Sequence, residues 1–405
     1  MEETTRARSY DRPFADIRVV DLSQGLAGPA CGMLLAAHGA SVIKIEPEKG
    51  DWSRGLGTRH GPHTALEMAV NRGKRSIALD LKSPDGVAVA HRLIDDADVV
   101  IESFRPGVAD KLGVGYQTVK TSNPRLLYVS ISGFGQKGPY AMRPCTDMVG
   151  QAFSGIMSIN RDEAGTPFKV GFVLVDTVAS MYAFQAVSTS LYARGDEGRL
   201  IDVSLMQSAA ALIAPKIVES HLEGASPRPL NAPGGSYQTS DGWIAITLMR
   251  EEQYQAICRV IGRPDLATDP RFDNPEKRAD TLDVLAPMIR EVLLTRTTNE
   301  WIERLTAAKV LCNRINAITD WLEDSHVQAI DAAPRAAQNA VGTVPVPRIP
   351  GMTDAAFANL SPATPAIGEH GRDILAGLGY SAEQVEALIT SGVLHVTEPN
   401  PALAG

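Results

Sequence analysis

Residues 17–46 read IRVVDLSQGLAGPACGMLLAAHGASVIKIE, and this stretch decides the fold. Ile17–Asp21 is a short β-branched run ending in an acid. Leu26–Ala37 is dense in Ala, Gly and Leu, so it reads as a helix of small residues, closed at Gly39. Ser41–Glu46 (SVIKIE) is again β-branched and reads as a strand. Strand, helix and strand within about 30 residues form a βαβ unit. Two strands joined by a helical crossover run parallel, and the crossover is right-handed.

The same pattern continues outward. Ser76–Asp80 predicts a strand, Pro84–Ile94 a helix, and Asp98–Glu102 and Leu126–Ile131 two more strands. The first 135 residues therefore predict an open α/β domain. Thr177–Arg194 predicts a long helix, apolar on nearly every side and hence buried. Leu200–Leu205 predicts a strand and Met206–Glu219 a helix, followed by a Pro-rich linker over 227–233. Ser236–Tyr237 and Trp243–Leu248 flank Ser240-Asp241-Gly242, a hairpin signal. Helical patterns over Glu251–Gly262, Arg278–Leu294 and Thr298–Ala308 complete a second, smaller α+β unit. The stretch 332–365 is Pro-rich and is expected to wrap over other elements, and Ser381–Ser391 predicts a last helix.

Composition narrows the function classes. The chain has 405 residues, 44% apolar and 21% charged, which is ordinary for a globule and argues against disorder or a fibre. A net charge of −8 argues against a dedicated nucleic-acid binder, which carries a basic face. It leaves room for a local basic pocket that takes one anionic ligand. Cys31, Cys145, Cys258 and Cys312 lack CxxC spacing, so neither a disulfide framework nor a structural zinc site is expected. Residues 1–13 are polar, without the apolar core of a signal peptide. No run approaches the roughly 20 apolar residues that cross a bilayer. The expected location is the cytoplasm, with no membrane partner and no metal.

Asp176 is the first candidate for chemistry. It stands in VGFVLVDTVASMYAF, the only charge between Lys169 and Arg194. It reads as the N-cap of the helix that starts at Thr177. It also reads as a nucleophilic or basic carboxylate held at a strand–helix junction. The two roles are compatible, because a cap faces the space at a helix N-terminus.

Gly133-Phe134-Gly135-Gln136-Lys137-Gly138 matches GxGxxG after a strand. A nicotinamide site is excluded by context: Pro139 follows, no apolar helix begins there, and no acid closes a strand about 20 residues on. A glycine-rich loop that approaches a ligand remains. Arg72, Lys74, Arg75, Lys82, Arg105 and Lys111 gather near predicted strand ends, where ligands of open α/β sheets sit. A solvated charged face is the plainer reading for most of them, since Asp85, Asp95 and Asp96 interleave. His60 and His63 are read as loop residues and not as metal ligands. GxSxG and GxxxxGK[ST] are both missing, which excludes the usual serine hydrolase and the P-loop NTPase.

Several blocks taken together resemble the class III coenzyme A transferases, the formyl-CoA and carnitine-CoA transferase-like enzymes. They are residues 17–54, NRGKRSIALDLKSPDG, DVVIESFRPGVADKLGVGY, NPRLLYVSISGFGQKGPY, VGFVLVDTVASMYAF and GRLIDVSLMQSA. Weaker agreement follows in APGGSYQTSDGWIAI, IGRPDLATDPRF and GEHGRDILAGLGYS. The blocks occur in the family's order over nearly the whole chain, and the ordered set is specific where one block is not.

The resemblance implies a Rossmann-like large α/β domain built from both chain ends and a smaller α+β domain, in an interlocked homodimer. The large domain would comprise residues 1–226 and, after a linker, the end of 326–405; the small domain would comprise 234–325. The Pro-rich stretches 227–233 and 345–350 suit such threading.

The resemblance also implies a mechanism in which Asp176 is the nucleophile. Coenzyme A would be contacted by Leu26 and Ala27, by Leu79, Asp80, Leu81 and Lys82, by Ser103, Phe104 and Arg105, and by Lys111 and Arg143. A family arginine after the strand of Ile43–Glu46 is replaced here by Pro47, and Gly234-Gly235 is a short substitute for the glycine-rich lid of formyl-CoA transferases. Oxalate and formate are therefore disfavoured as substrates. The alternative is an α-methylacyl-CoA racemase, which pairs the Asp with a His; that position, just before Asp147, holds Thr146. Two-base proton exchange would lack one partner.

Overall fold

In the computed structural model the predicted βαβ unit forms as β1 (Arg18–Asp21), α1 (Ala27–Ala37) and β2 (Ser41–Glu46). The structure describes residues 9–162, 164–224, 228–360 and 362–397. The chain continues through α2 (Ala65–Val70), β3 (Arg75–Leu79), α3 (Pro84–Asp95), β4 (Val99–Glu102) and β5 (Leu127–Ser132). It then forms α4 (Asp147–Phe153), α5 (Leu174–Ala193) and β6 (Arg199–Ser204). The central sheet has the order (Leu394–His395)–β3–β2–β1–β4–β5–β6. Every pairing in it is parallel except that of Leu394–His395 with β3. The strand order reverses between β1 and β4, which in an open α/β sheet marks the ligand crevice at the carboxyl ends of the strands.

The sheet is covered on both faces. Val19, Val99, Ile101 and Val129 point to the side of α1 and α5. Val20, Val100 and Tyr128 point to the side of α3 and the helix Gly371–Gly377. Successive residues of a strand alternate between faces, so a doubly covered sheet needs continuous apolar runs. β4 (VVIE) is buried at every position.

Three helical expectations are corrected. Helix α5 starts at Leu174, so Asp176 is its third residue and not its cap; Val173 holds the cap position. The helix is also not buried all round. Val175, Ala179, Ala183 and Val187 form one buried stripe, whereas Met181 is 58% and Tyr192 93% exposed. Small residues on the stripe let α5 sit close to Ala27 and Cys31 of α1. The helix predicted from Met206 divides into Leu205–Leu212 and Ala214–Glu223.

The chain forms two compact units, Met1–Ala214 with Ala332–Gly405, and Pro215–Asp331. The sequence placed these divisions at 226/234 and 325/326, in Pro-rich stretches; Pro227 lies outside the described residues. In the second unit the predicted hairpin, Gly235–Gln238 with Trp243–Thr247, is joined by Leu311–Arg314, a strand too short and too polar to announce itself.

Beneath the carboxyl ends of β1 and β2 lies a cluster of buried charges. Lys74 Nζ donates to Asp21 Oδ2 at 2.8 Å, to Asn71 Oδ1 at 2.9 Å and to the Pro29 carbonyl at 2.7 Å. Lys44 Nζ lies 3.1 Å from Asp51 Oδ2 and donates to the Ser23 carbonyl at 2.7 Å. Arg54 holds Glu46 through two bonds of 2.7 and 2.8 Å, and its Nη1 lies 2.7 Å from Glu67. Burial would raise the Glu46 carboxyl, but Arg54, Lys44 and Ser76 together hold it below the usual carboxylate range. His63, expected as a loop residue, is buried here against Glu67.

Arg72 and Lys74, expected on a solvated face, are buried too. Arg72 donates to the carbonyls of Leu360 and Ala337 and to Gln338 Oε1, stitching the C-terminal segment to the sheet. Glycines make the room. A Cβ on Gly32 of α1 would stand 2.9 Å from Asp21 Oδ2 and 3.2 Å from Lys74 Nζ.

Removing one partner of a buried ion pair leaves the other uncompensated. Arg54→Ala should cost about 3–5 kcal/mol, because Glu46 and Glu67 would share no guanidinium. Thermal unfolding checks it: the midpoint should drop by several degrees, and an unchanged midpoint would contradict the assignment.

Candidate active site

The loops after β1 and β4 meet at the reversal point. Ser103 Oγ accepts from the Gln24 N–H at 2.8 Å and donates to the Gln24 carbonyl at 3.0 Å. Beside this tie opens a cleft of about 460 Å³ at the ends of β1–β4. Leu79, Asp80, Leu81, Lys82 and Phe104 line it, five of the residues named from the sequence. Gln24, Lys49 and His395 also line it and were missed. Lys49 had a faint signal, since it follows Pro47 at the end of β2. His395 had none, because only the C-terminal strand brings it beside β3.

The other candidates separate. Leu26 and Ala27 are buried, at the cap and first position of α1. Arg105 lines a smaller cleft of about 180 Å³ with Glu102, Asp110 and Gln136. Lys111 is exposed on the short helix Val108–Lys111. Arg143 is exposed and lies over the Tyr140 ring, 4.4 Å from its centre. Of these four cations, Lys82 lines the larger cleft and Arg105 the smaller one.

Glu102 closes β4 from inside. Its carboxylate accepts from the Phe104 N–H at 2.7 Å and from Ser130 Oγ, which in turn accepts from Gln136 Nε2 at 2.7 Å. Burial pushes its carboxyl up to about 7 against these two bonds. The glycine-rich loop 133–138 is therefore tied to the loop over the cleft. Its first glycine has a tight neighbour, since a Cβ on Gly133 would meet Cys145 Cβ at 2.2 Å.

Cys145 leads into α4, whose first residue is Asp147. Asp147 Oδ2 accepts from the backbone N–H of Val175 at 2.6 Å and of Asp176 at 3.2 Å. The N-terminus of α5 is thus capped by a carboxylate from another helix. Helix α4 comes that close because Gly150 faces Val175, where a Cβ would lie 3.2 Å from Val175 Cγ1. Asp176 is half-buried beside it. Burial, then the Asp147 charge, pushes the Asp176 carboxyl up to about 7. Burial and both carboxylates push the Cys145 thiol up to about 11, so it stays protonated. The sequence offered no signal for Asp147, whose role arises only when α4 and α5 pack. Among the described residues no group of three His, Cys, Asp or Glu is placed to hold a metal. No described helix is long and apolar enough to cross a membrane.

Residues 14–371 match the CoA-transferase family III. The chain belongs to that family. It is 34% identical to the succinate–glutarate CoA-transferase of Agrobacterium fabrum over 90% of this chain and 96% of that protein. It is 37% identical to the acetyl-CoA:oxalate CoA-transferase of Acetobacter aceti over 76% of this chain and 82% of that one. The crystal structure of a CAIB/BAIF family protein from Brucella suis is similar at a TM-score of 0.81 and 32% identity, covering 91% of this chain and 99% of that chain. As a family III CoA-transferase the protein is an enzyme that moves coenzyme A from an acyl-CoA to a carboxylic acid.

The raised Asp176 carboxyl makes stability depend on pH. The folded chain keeps its proton up to about pH 7, whereas an unfolded Asp loses it near about pH 3.9. The folded state then binds more protons, so the Asp176 contribution to stability falls as pH rises from about 4 to about 7. Asp176→Asn removes that dependence. Its thermal midpoint should match the parent at about pH 4 and exceed it by a few degrees at about pH 8. An equal difference at both values would contradict the raised carboxyl.

Proposed function

We propose that Asp176 is the covalent centre of CoA transfer. The observation that carries this reading is a part-buried carboxyl at a helix N-terminus, raised to about 7 by burial and the Asp147 charge, with no donor among the described residues on its oxygens. A carboxylate of higher basicity and poor solvation is a stronger nucleophile. Its oxygen attacks the acyl-CoA carbonyl, the C–S bond breaks, and a mixed anhydride and CoA thiolate result. The thiolate attacks the Asp176 carbonyl, forms the aspartyl-CoA thioester and expels the donor acid. The acceptor carboxylate then attacks this thioester, and the same two steps in reverse deliver the new acyl-CoA and free Asp176.

The cleft of about 460 Å³ suits the nucleotide end of CoA. Leu79, Leu81 and Phe104 offer an apolar wall for the adenine ring. Lys82 and Lys49 supply positive charge for phosphate oxygens, with Ser103 holding the loop at Gln24 beside them; Leu26 and Ala27 stand at the turn into α1. Arg105, Lys111 and Arg143 are exposed cations on the loops around this end of the sheet. The unit containing both chain ends is the Rossmann-like CoA-binding domain, and residues 234–325 form most of the small one.

The acceptor is a small carboxylic acid. The relatives named for glutarate and oxalate support a dicarboxylate. A racemase is disfavoured, because Thr146 occupies the position of its acid/base His. The enzyme is an interlocked homodimer of the cytoplasm. Exposed apolar side chains on α5 and on Ala214–Glu223, a helix with no buried residue, support a second copy.

The test uses acyl-CoA and hydroxylamine. Parent enzyme should lose activity and carry a hydroxamate on Asp176, seen by peptide mass spectrometry. Asp176→Ala should transfer CoA at least about 10³-fold more slowly, the scale of losing a covalent nucleophile. Full activity in Asp176→Ala, with no modified Asp176 in the parent, would sink the covalent route. Lys82→Ala together with Lys49→Ala should raise KM for acyl-CoA several-fold and leave kcat nearly unchanged, as for contacts to a remote part of the substrate.

A further inference from the structure

A helix N-terminus offers free N–H groups and positive potential, and an acid in its first turn normally takes advantage of both. Asp176 is denied them. The Leu174 N–H donates to the Phe172 carbonyl at 2.9 Å and the Thr177 N–H to the Val173 carbonyl at 3.1 Å. The two donors between them, of Val175 and Asp176, go to Asp147. Among the described residues no donor reaches the Asp176 carboxyl oxygens, and only burial and Asp147 act on it.

We propose that Asp147 is a positioning residue that takes the N-terminal donors of α5 away from Asp176 and faces it with a second negative charge. The inference rests on the reading of Asp176 as nucleophile. Asp147 is itself locked: its Oδ1 accepts from Gln151 Nε2 at 2.6 Å, and Gln151 Oε1 accepts from the Val170 N–H at 2.9 Å. The other titratable group facing the pair is the Cys145 thiol, which stays neutral.

The consequence is a bias in the covalent equilibrium. Free Asp176 carries a charge next to Asp147, and among the described residues no protein donor spreads it. The anhydride and the aspartyl-CoA thioester carry no charge at that position. Each covalent step therefore relieves the repulsion, and each release step restores it. Asp147 raises the resting energy of the nucleophile and touches no reacting atom.

Asp147→Asn tests the idea. Its amide oxygen still accepts from α5, but its NH₂ then faces the NH₂ of Gln151, so the packing alone could suffer. The double variant Asp147→Asn with Gln151→Glu swaps amide and carboxylate. It restores the bond between the two side chains and the one from Val170, losing the longer 3.4 Å bond from Gln151 Nε2 to the Phe172 carbonyl, and moves the charge one side chain away from Asp176. The readout is the protonated-carboxyl infrared band that vanishes in Asp176→Asn, followed against pH without substrate. Its midpoint should fall from about 7 to about 6 or lower in the single variant, as expected for losing a neighbouring like charge. It should stay low in the double variant even as thermal stability recovers.

At a fixed ratio of acyl-CoA to acid, the fraction trapped as Asp176 hydroxamate should drop about ten-fold, the equivalent of one pH unit. A midpoint still at about 7 in the single variant, or one that returns to about 7 in the swap, would overturn the proposal. The infrared titration does not depend on turnover. If Asp176→Ala proved active, the nucleophile reading would fall while the titration still decided what Asp147 does to Asp176.

Discussion

The buried pairing of Lys44 and Lys74 with Asp51 and Asp21 is the constraint on which the rest of the structure depends. Lys44 holds the Ser23 carbonyl and Lys74 the Pro29 carbonyl, while Asp51 Oδ1 accepts from the Gly25 N–H at 2.9 Å. The turn from β1 into α1 is thus gripped along its length by groups from β2, from the loop behind it and from the start of β3. Charges placed so far from water are worth little as net stability against an apolar core of equal volume. What they supply is geometry. Each ion has its partners in one arrangement only, so the turn has one arrangement too.

From that turn the constraint passes to the chemistry. Helix α1 leaves the gripped loop at Ala27 and gives α5 a surface of small side chains to lie on. The height of α5 sets Asp176, and α4 comes up against it through Gly150 to deliver Asp147. On the other side of the sheet reversal, Ser103 ties the β4 loop to Gln24, and Glu102 ties it through Ser130 to the glycine-rich loop. The cleft and the acid pair are two ends of one scaffold of short polar links, with the parallel sheet as its rigid part. A site for a long substrate such as an acyl-CoA needs this, since its grip on the nucleotide must hold the thioester in place.

Two carboxyls of this scaffold, Asp176 and Glu102, are raised to about 7, for different reasons. Glu102 is raised by burial, and to a smaller extent by the Asp110 and Asp202 charges, and has donors that oppose the rise. Asp176 is raised by burial and by a neighbour that also removes its donors. Perturbation by itself does not separate a structural acid from a reactive one. The hydrogen bonds differ: Glu102 is satisfied by Phe104 and Ser130, whereas among the described residues no donor reaches the Asp176 carboxyl oxygens.

Much of this was legible in the chain. The alternation of β-branched runs with small-residue helices determined a parallel sheet, because such strands need both faces covered and a helical crossover between them. The ordered motifs determined the family and singled out Asp176, and the run SIALDLK placed Leu79 to Lys82 at a strand end where ligands sit. Other features were not legible, for a common physical reason. Arg72, Lys74 and His63 look like surface residues in sequence, since polar side chains usually are. Only their partners, some of them nearly 300 residues away, make burial affordable. Asp176 looked like a cap until packing showed that another helix already caps α5. The sequence by itself determined which groups exist and which strands carry them. Tertiary structure alone decided which charges meet, because a charge's role depends on the water it loses and the partner it gains, and neither is local in the chain.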